Sequence, residues 1–307
     1  MMLVMNFTII AIIWFGSIRI DGGGMQVGSL MAFIQYATMI LLSLVMMSMM
    51  FIMLPRAAAS AVRINEILDI IPGIKDPDRV KQPDSDKGCL EFKDVSFSFP
   101  GAEQPALSNI SFTARPGETT AIIGGTGSGK TTLINLIPRF YDVSQGAVLI
   151  DGVDVREMSQ ESLRSKIGLV PQTAVLFSGS ITENIRFGQE DASPDEVYAA
   201  AQTAQALEFI TGMKNGFDSF IEQGGTNVSG GQKQRLSIAR AIVRRPDIYI
   251  FDDSFSALDF KTDARLRAAL KEETRESTVL IIAQRVSTIM EADQIIVLEN
   301  GQIAGKG

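Results

Sequence analysis

The 307 residues carry 28 Lys and Arg against 35 Asp and Glu, a net charge of −7 that argues against nucleic acid as the partner, since phosphate neutralisation needs clustered cations. One cysteine, Cys89, excludes an intrachain disulfide and fits a reducing compartment, and the complete lack of histidine excludes any imidazole base, ligand or pH switch. The 46% of hydrophobic residues is unevenly shared: residues 1–55 hold only two charged side chains, Arg19 and Asp21, and eleven of the fourteen methionines.

Two apolar runs open the chain, Met1 to about Ile18 and about Leu30 to Leu54. Each is long enough to cross the hydrocarbon of a bilayer as a helix. The first has neither the basic start nor the small-residue cleavage site of a secretory leader. The glycine-rich stretch from Arg19 to Gly28 joins them, and so short a joint predicts an antiparallel hairpin. Arg56 and Arg63 place the far end of the second run in the cytosol and the glycine turn outside. The stripe Met46, Met47, Met49, Met50 and Met53 either packs on neighbouring helices and lipid or lines an adaptable surface for an amphipathic ligand. Residues 56–71 have helix-forming composition and extend the second helix beyond the membrane. Pro72 to Lys87, with three prolines and many charges, reads as a linker, and a soluble domain starts near Gly88.

In that domain Leu90 to Phe99 alternates as a strand, and Thr119 to Gly124 is a second, buried one. It runs into Gly124, Gly125, Thr126, Gly127, Ser128, Gly129, Lys130 and Thr131, which fit G-x-x-x-x-G-K-[ST], with a helix predicted from Thr132 to Phe140. Glycines let such a loop curl its N–H groups toward phosphate oxygens, the lysine reaches the terminal phosphates, the threonine hydroxyl is a Mg²⁺ ligand, and the helix N-terminus adds its dipole. Ile248 to Asp252 is an apolar strand ending in two acids, Asp252 and Asp253. This is the arrangement in which the first carboxylate holds Mg²⁺. Ala192 to Met213 reads as two helices capped by Ser193 and Asp195.

The segment Val228-Ser229-Gly230-Gly231-Gln232 resembles the signature sequence of ATP-binding cassette (ABC) ATPases, and further features follow in that family's order. The resemblance implies an α/β P-loop ATPase domain of ABC type: a RecA-like core, an antiparallel β subdomain and a helical subdomain, preceded by a transmembrane hairpin. It places Phe99 against the adenine and Gln172 in the loop that senses Mg²⁺ and faces the membrane domain. Thr132 stands next to the phosphate loop, and residues 256–259 match the loop after the Mg²⁺ aspartate. Residues 174–185 resemble the surface on which a coupling helix rests, and residues 222–225 stand where the family approaches the opposite subunit. The implied ligands are ATP and Mg²⁺, the metal held by Thr131, Asp252 and Gln172. The implied assembly is a head-to-tail dimer in which Ser229, Gly230, Gly231 and Gln232 reach the partner's ATP.

Two catalytic positions depart from the family pattern. Asp253 stands where a glutamate usually polarises the attacking water, and Gln284 stands where a histidine usually senses the γ-phosphate. A carboxylate retracted by about 1 Å can lower a rate ~100-fold. With the signature nearly intact, this combination resembles one subunit of heterodimeric bacterial multidrug exporters, whose own ATP site is degenerate while its signature serves a competent site. The alternatives are a homodimeric exporter that hydrolyses with Asp253, or a membrane-anchored regulatory ATP-binding subunit. The expected organisation is residues 1–71 as the last two of six membrane helices with their extension, 72–87 as linker, and 88–307 as the ATPase domain, truncated at both ends of the chain. The expected setting is the cell membrane, multi-pass, with the ATPase domain in the cytoplasm, a second half-transporter as partner and an amphipathic molecule as cargo.

Overall fold

The computed structural model describes residues 2–83, 87–283 and 289–307. The chain divides into two compact units, residues 1–73 and 74–307.

In the first unit, α1 (Met2–Asp21) and α2 (Val27–Leu68) form a hairpin. The 20 residues of α1 span about 30 Å at 1.5 Å per residue. The 42 residues of α2 are twice the length a bilayer core needs, and the helix runs on without a break through Pro55. Most of their large apolar side chains are exposed. Gly16 faces Leu30 so closely that a Cβ there would collide with the leucine side chain, so this glycine sets the approach of the two helices.

The second unit holds, in chain order, β1 (Leu90–Phe97), β2 (Leu107–Ala114), β3 (Thr119–Gly124), α3 (Lys130–Leu136), β4 (Gln145–Ile150), β5 (Val153–Asp154), α4 (Gln160–Ser165) and β6 (Ile167–Val170). Then come β7 (Gly179–Ser180), α5 (Ile181–Arg186), α6 (Pro194–Thr203), α7 (Leu207–Gly212), β8 (Phe220–Ile221), α8 (Gly230–Val243), β9 (Ile248–Asp252), α9 (Phe260–Glu273), β10 (Thr278–Ile282), β11 (Gln294–Glu299) and β12 (Gln302–Lys306). The larger sheet runs β12-β11-β3-β10-β9-β6, parallel except for the edge strand β12. The smaller, antiparallel sheet runs β2-β1-β4-β5.

The parallel strands read as unbroken apolar runs because both faces are covered. Along β9 and β10, Ile248, Ile250, Leu280 and Ile282 enter the core shared with β1, β2, β4 and α3. Their neighbours Tyr249, Phe251, Val279 and Ile281 enter a second core with α5, α6 and α8. The sheet is therefore a rigid partition between the antiparallel layer and the helical layer, with its strand ends free to carry chemistry. These three parts match the architecture that the resemblance implies.

Boundaries differ in informative ways. The helix after the phosphate loop is Lys130–Leu136 rather than Thr132–Phe140, since Arg139 takes a left-handed backbone (φ 55) that no helix continues. Ser193 caps α6 with a full capping box, but Asp195 lies in that helix's first turn, and α7 starts after Ala206 with no side-chain cap. Residues 74–83 belong to the second unit: the Asp76 carboxylate accepts from Gln160 N and Nε2 (2.9 and 3.1 Å), and Lys81 pairs with Glu157 at 2.8 Å.

Candidate nucleotide site

The site grows from four adjacent parallel strands, β3, β10, β9 and β6, whose carboxyl ends lie side by side, the place where open α/β sheets bind ligands. From β3 the chain leaves through Gly124, where a Cβ would strike the Leu298 carbonyl oxygen and Ser128 Oγ. Gly127 and Gly129 take φ of 79° and 99°, a region that favours glycine, and the loop delivers its N–H groups to the start of α3. Among the described residues, no atom beyond the chain neighbours lies within 4 Å of the Cβ positions of Gly125 and Gly127, so the loop is open there. The Lys130 ammonium lies across it, donating to the carbonyls of Gly124 and Gly125 (2.9 and 2.7 Å) and to Ser128 Oγ (3.3 Å). Thr126 is exposed on the loop, and Thr132 is half-buried one position past Thr131.

Thr131 Oγ1 donates to Asp252 Oδ2 at 3.2 Å, tying the first turn of α3 to the end of β9. Asp252 is 5% exposed. Burial pushes its carboxyl above the ordinary range, the Thr131 hydrogen bond pulls it back, and the neighbouring Asp253 charge pushes it up again. A buried carboxylate under that strain favours a cation beside it. An alcohol and a carboxylate oxygen form the hard donor set that suits Mg²⁺, which typically takes one or two protein ligands plus phosphates and waters. Asp253 follows in the left-handed region (φ 45), where aspartate is among the tolerated residues, and its N–H donates to Ile282 O at 3.0 Å. Gln172 is exposed two residues beyond the end of β6. Gln284 lies outside the described residues.

Phe99, 39% exposed, stands two residues past β1 against buried Phe97. Ser229 is the N-cap of α8: its Oγ accepts from Gln232 N (3.3 Å), and Gln232 Oε1 accepts from Ser229 N (2.8 Å). Ser229 and Gly230 are exposed, and Gly231 backs onto Ala257 O, so the loop after Asp253 packs on this same turn. The structure thus gathers the glycine loop, Lys130, Thr131, Asp252, Asp253 and Gln172 along one sheet edge. The hydrogen bonds of the Ser229–Gln232 cap stay within its own turn.

Sequence reasoning missed the groups that join these parts. Buried Ser254 donates to Val170 O at 3.0 Å, and buried Gln234 of α8 donates from Nε2 to Pro171 O at 3.3 Å. Together they fix the strand end that leads to Gln172. Arg240 of α8 donates to Asn184 O, Val175 O and Asn184 Oδ1 at 2.9–3.1 Å and lies over the exposed rings of Phe177 and Phe187. Burial lowers its pKa to about 10. The available signal was a polar side chain on the apolar face of α8; naming its partner needed the fold.

A glycine loop running from a parallel strand into a helix, with a buried aspartate bonded to that helix's threonine, defines a P-loop nucleotide-binding domain. The comparisons narrow the class. The ABC transporter family model matches residues 107–256. An uncharacterized ABC transporter ATP-binding protein of Mycobacterium bovis is 48% identical over 309 residues, covering 99% of this chain and 53% of the relative. An ATP-dependent lipid A-core flippase of Chromobacterium violaceum is 39% identical over 297 residues, covering 97% of this chain and 50% of the relative. A solved structure of a bacterial Atm1-family ABC exporter with ATP bound superposes with a TM-score of 0.83 at 32% identity, covering 99% of this chain and 53% of that one. Residues 107–256 therefore match the ABC transporter family, the second unit has the ABC-type ATPase domain fold, and the chain is similar over nearly its whole length to ABC transporter proteins. It spans about half the length of the curated relatives it matches.

Proposed function

We propose that the chain is the C-terminal portion of one subunit of an ATP-driven exporter, that its own ATP site is degenerate, and that its signature turn completes a competent site on a different partner subunit. The observation that carries this reading is the contrast between two catalytic features. The signature turn is capped by its own side chains and exposed at Ser229 and Gly230, while the position beside Asp252 holds a short carboxylate in a left-handed backbone.

In this reading the glycine loop and Lys130 hold the β- and γ-phosphates, and Phe99 stacks on the adenine. Thr131 and Asp252, with Gln172, hold Mg²⁺, which supplies charge neutralisation on the phosphates. Asp253 faces the attacking water from farther back than a glutamate would, and Gln284 replaces an imidazole with an amide that donates a hydrogen bond but transfers no proton. The outcome is long ATP occupancy with slow turnover at this site.

The apolar hairpin supports a multi-pass place in the membrane, as the last two helices before the ATPase domain. The domain boundaries follow as residues 1–71 and 88–307, with the intervening strap anchored at Asp76 and Lys81. The flippase among the relatives supports a lipid-like or otherwise amphipathic cargo, drugs included. The test is to reconstitute the full-length subunit alone in lipid and measure Mg²⁺-dependent ATP binding and steady-state hydrolysis. Tight binding with near-background turnover is expected. Brisk turnover by the lone subunit overturns the degenerate site and leaves a homodimeric exporter with Asp253 as its catalytic carboxylate.

A further inference from the structure

Phe99 does not stand alone. Its ring is edge-on to two neighbours, buried Phe97 (centroids 4.8 Å apart, planes at 81°) and Tyr141 (5.4 Å, 84°), and Tyr141 also touches Phe97 at 5.4 Å. Edge-to-face contacts are the favoured geometry for aromatic pairs, and two of them at right angles to one ring fix its plane while leaving a face for stacking. Tyr141 is itself pinned. It lies in the turn that follows α3, between Arg139 and Asp142, whose side chains form a two-point pair (Nε–Oδ1 2.7 Å, Nη2–Oδ2 3.2 Å) with the arginine 6% exposed. Phe140 N–H donates to Asn135 O at 3.0 Å and anchors the same turn to α3. One continuous segment therefore begins at the phosphate loop and ends at a ring that braces Phe99.

We propose that Tyr141 is a positioning residue for the nucleobase: it holds the Phe99 ring in the orientation on which a purine stacks, and fixes that platform relative to the phosphates. The proposal rests on the adenine role of Phe99. Its signature is an effect confined to the base, because a residue that merely supports the fold alters phosphate binding as well.

The experiment uses the full-length protein and two probes, Mg²⁺-ATP and inorganic tripolyphosphate, measured by titration calorimetry. Losing one edge-to-face contact at the platform is expected to weaken ATP about fivefold in Tyr141→Leu and Tyr141→Ala. Tripolyphosphate affinity stays within about twofold of the parent, and Tyr141→Phe, which keeps the ring, restores ATP affinity. Equal weakening of both probes, or no weakening of either, overturns the proposal. The leucine variant keeps bulk in the turn should alanine impair folding. Phe99→Ala separates the two ideas: if it leaves the preference for ATP over tripolyphosphate intact, the adenine role of Phe99 fails, whatever Tyr141 does.

Discussion

Two helices of this domain begin in glycine-rich turns, α3 after Gly124–Gly129 and α8 after Ser229, and the turns differ in what requires their glycines. At α3 several are demanded by the chain itself: Gly124 abuts Leu298 O, and Gly129 (φ 99) abuts Leu107 and Ala106 O. At α8 the first glycine meets no atom of the described residues within 4 Å, and Gly231 has the Ala257 carbonyl and a Leu258 methyl behind it. The α3 turn is completed from within, by Lys130 on its carbonyls and Asp252 on Thr131. The α8 turn is capped by its own serine and glutamine and leaves Ser229 and Gly230 exposed. A glycine that its own fold does not need marks a surface that something else approaches.

The strongest way to break this comparison is Gly124→Ala. The added methyl meets a backbone carbonyl of β11, which cannot swing aside like a side chain, so the strand or the loop must shift. Such overpacking is expected to cost about 3 kcal/mol. A lowered thermal midpoint of the full-length protein with lost ATP binding is the expected result. An unchanged midpoint would mean that β11 does not wall the loop. Next in size is Ser229→Ala, which removes the N-cap acceptor for Gln232 N. The expected loss is about 1 kcal/mol, recovered by Ser229→Thr, with the domain's own ATP affinity unmoved. If ATP affinity falls in the same step, the two turns belong to one site rather than two.

How much of this was legible beforehand depends on the range of the interaction. The glycine loop and the β9 strand ending in Asp252 each depend on residues a few positions apart, and each stands in the structure where the sequence puts it. Contacts between distant segments were not legible. Gln234 to Pro171, Ser254 to Val170 and Tyr141 to Phe99 join segments that only the folded sheet and its helices bring together. The prolines and charges of residues 72–87 read as a linker, and the contacts that segment makes were not legible for the same reason. Asp76 finds Gln160 across 84 residues, and only tertiary proximity turns a solvated aspartate into an anchor. The α3 boundary was misjudged because the apolar pattern continues through Ile137, while the left-handed Arg139 ends the helix.

The smallest expected effect on stability is also the most telling. Gly230→Ala places a methyl where no atom of the described residues lies within 4 Å, at the first position of a 14-residue helix. Alanine is the better helix former, so the fold is expected to gain up to about 0.5 kcal/mol, and the thermal midpoint to rise slightly or stay put. The subunit's own ATP affinity stays within about twofold, since Lys130 bonds within its own loop and the variant alters none of those contacts. Turnover of the transporter assembled with its partner is expected to fall about tenfold or more, because backbone N–H groups at a helix start bind a phosphate only when its oxygens can approach closely. These readouts move in opposite directions, which no general loss of folding produces. A fall in stability would show that the turn is packed from within after all, like that of α3. Unchanged turnover would mean that nothing from the partner approaches closely enough to feel the methyl, and the signature turn would lose its assignment to the partner's nucleotide.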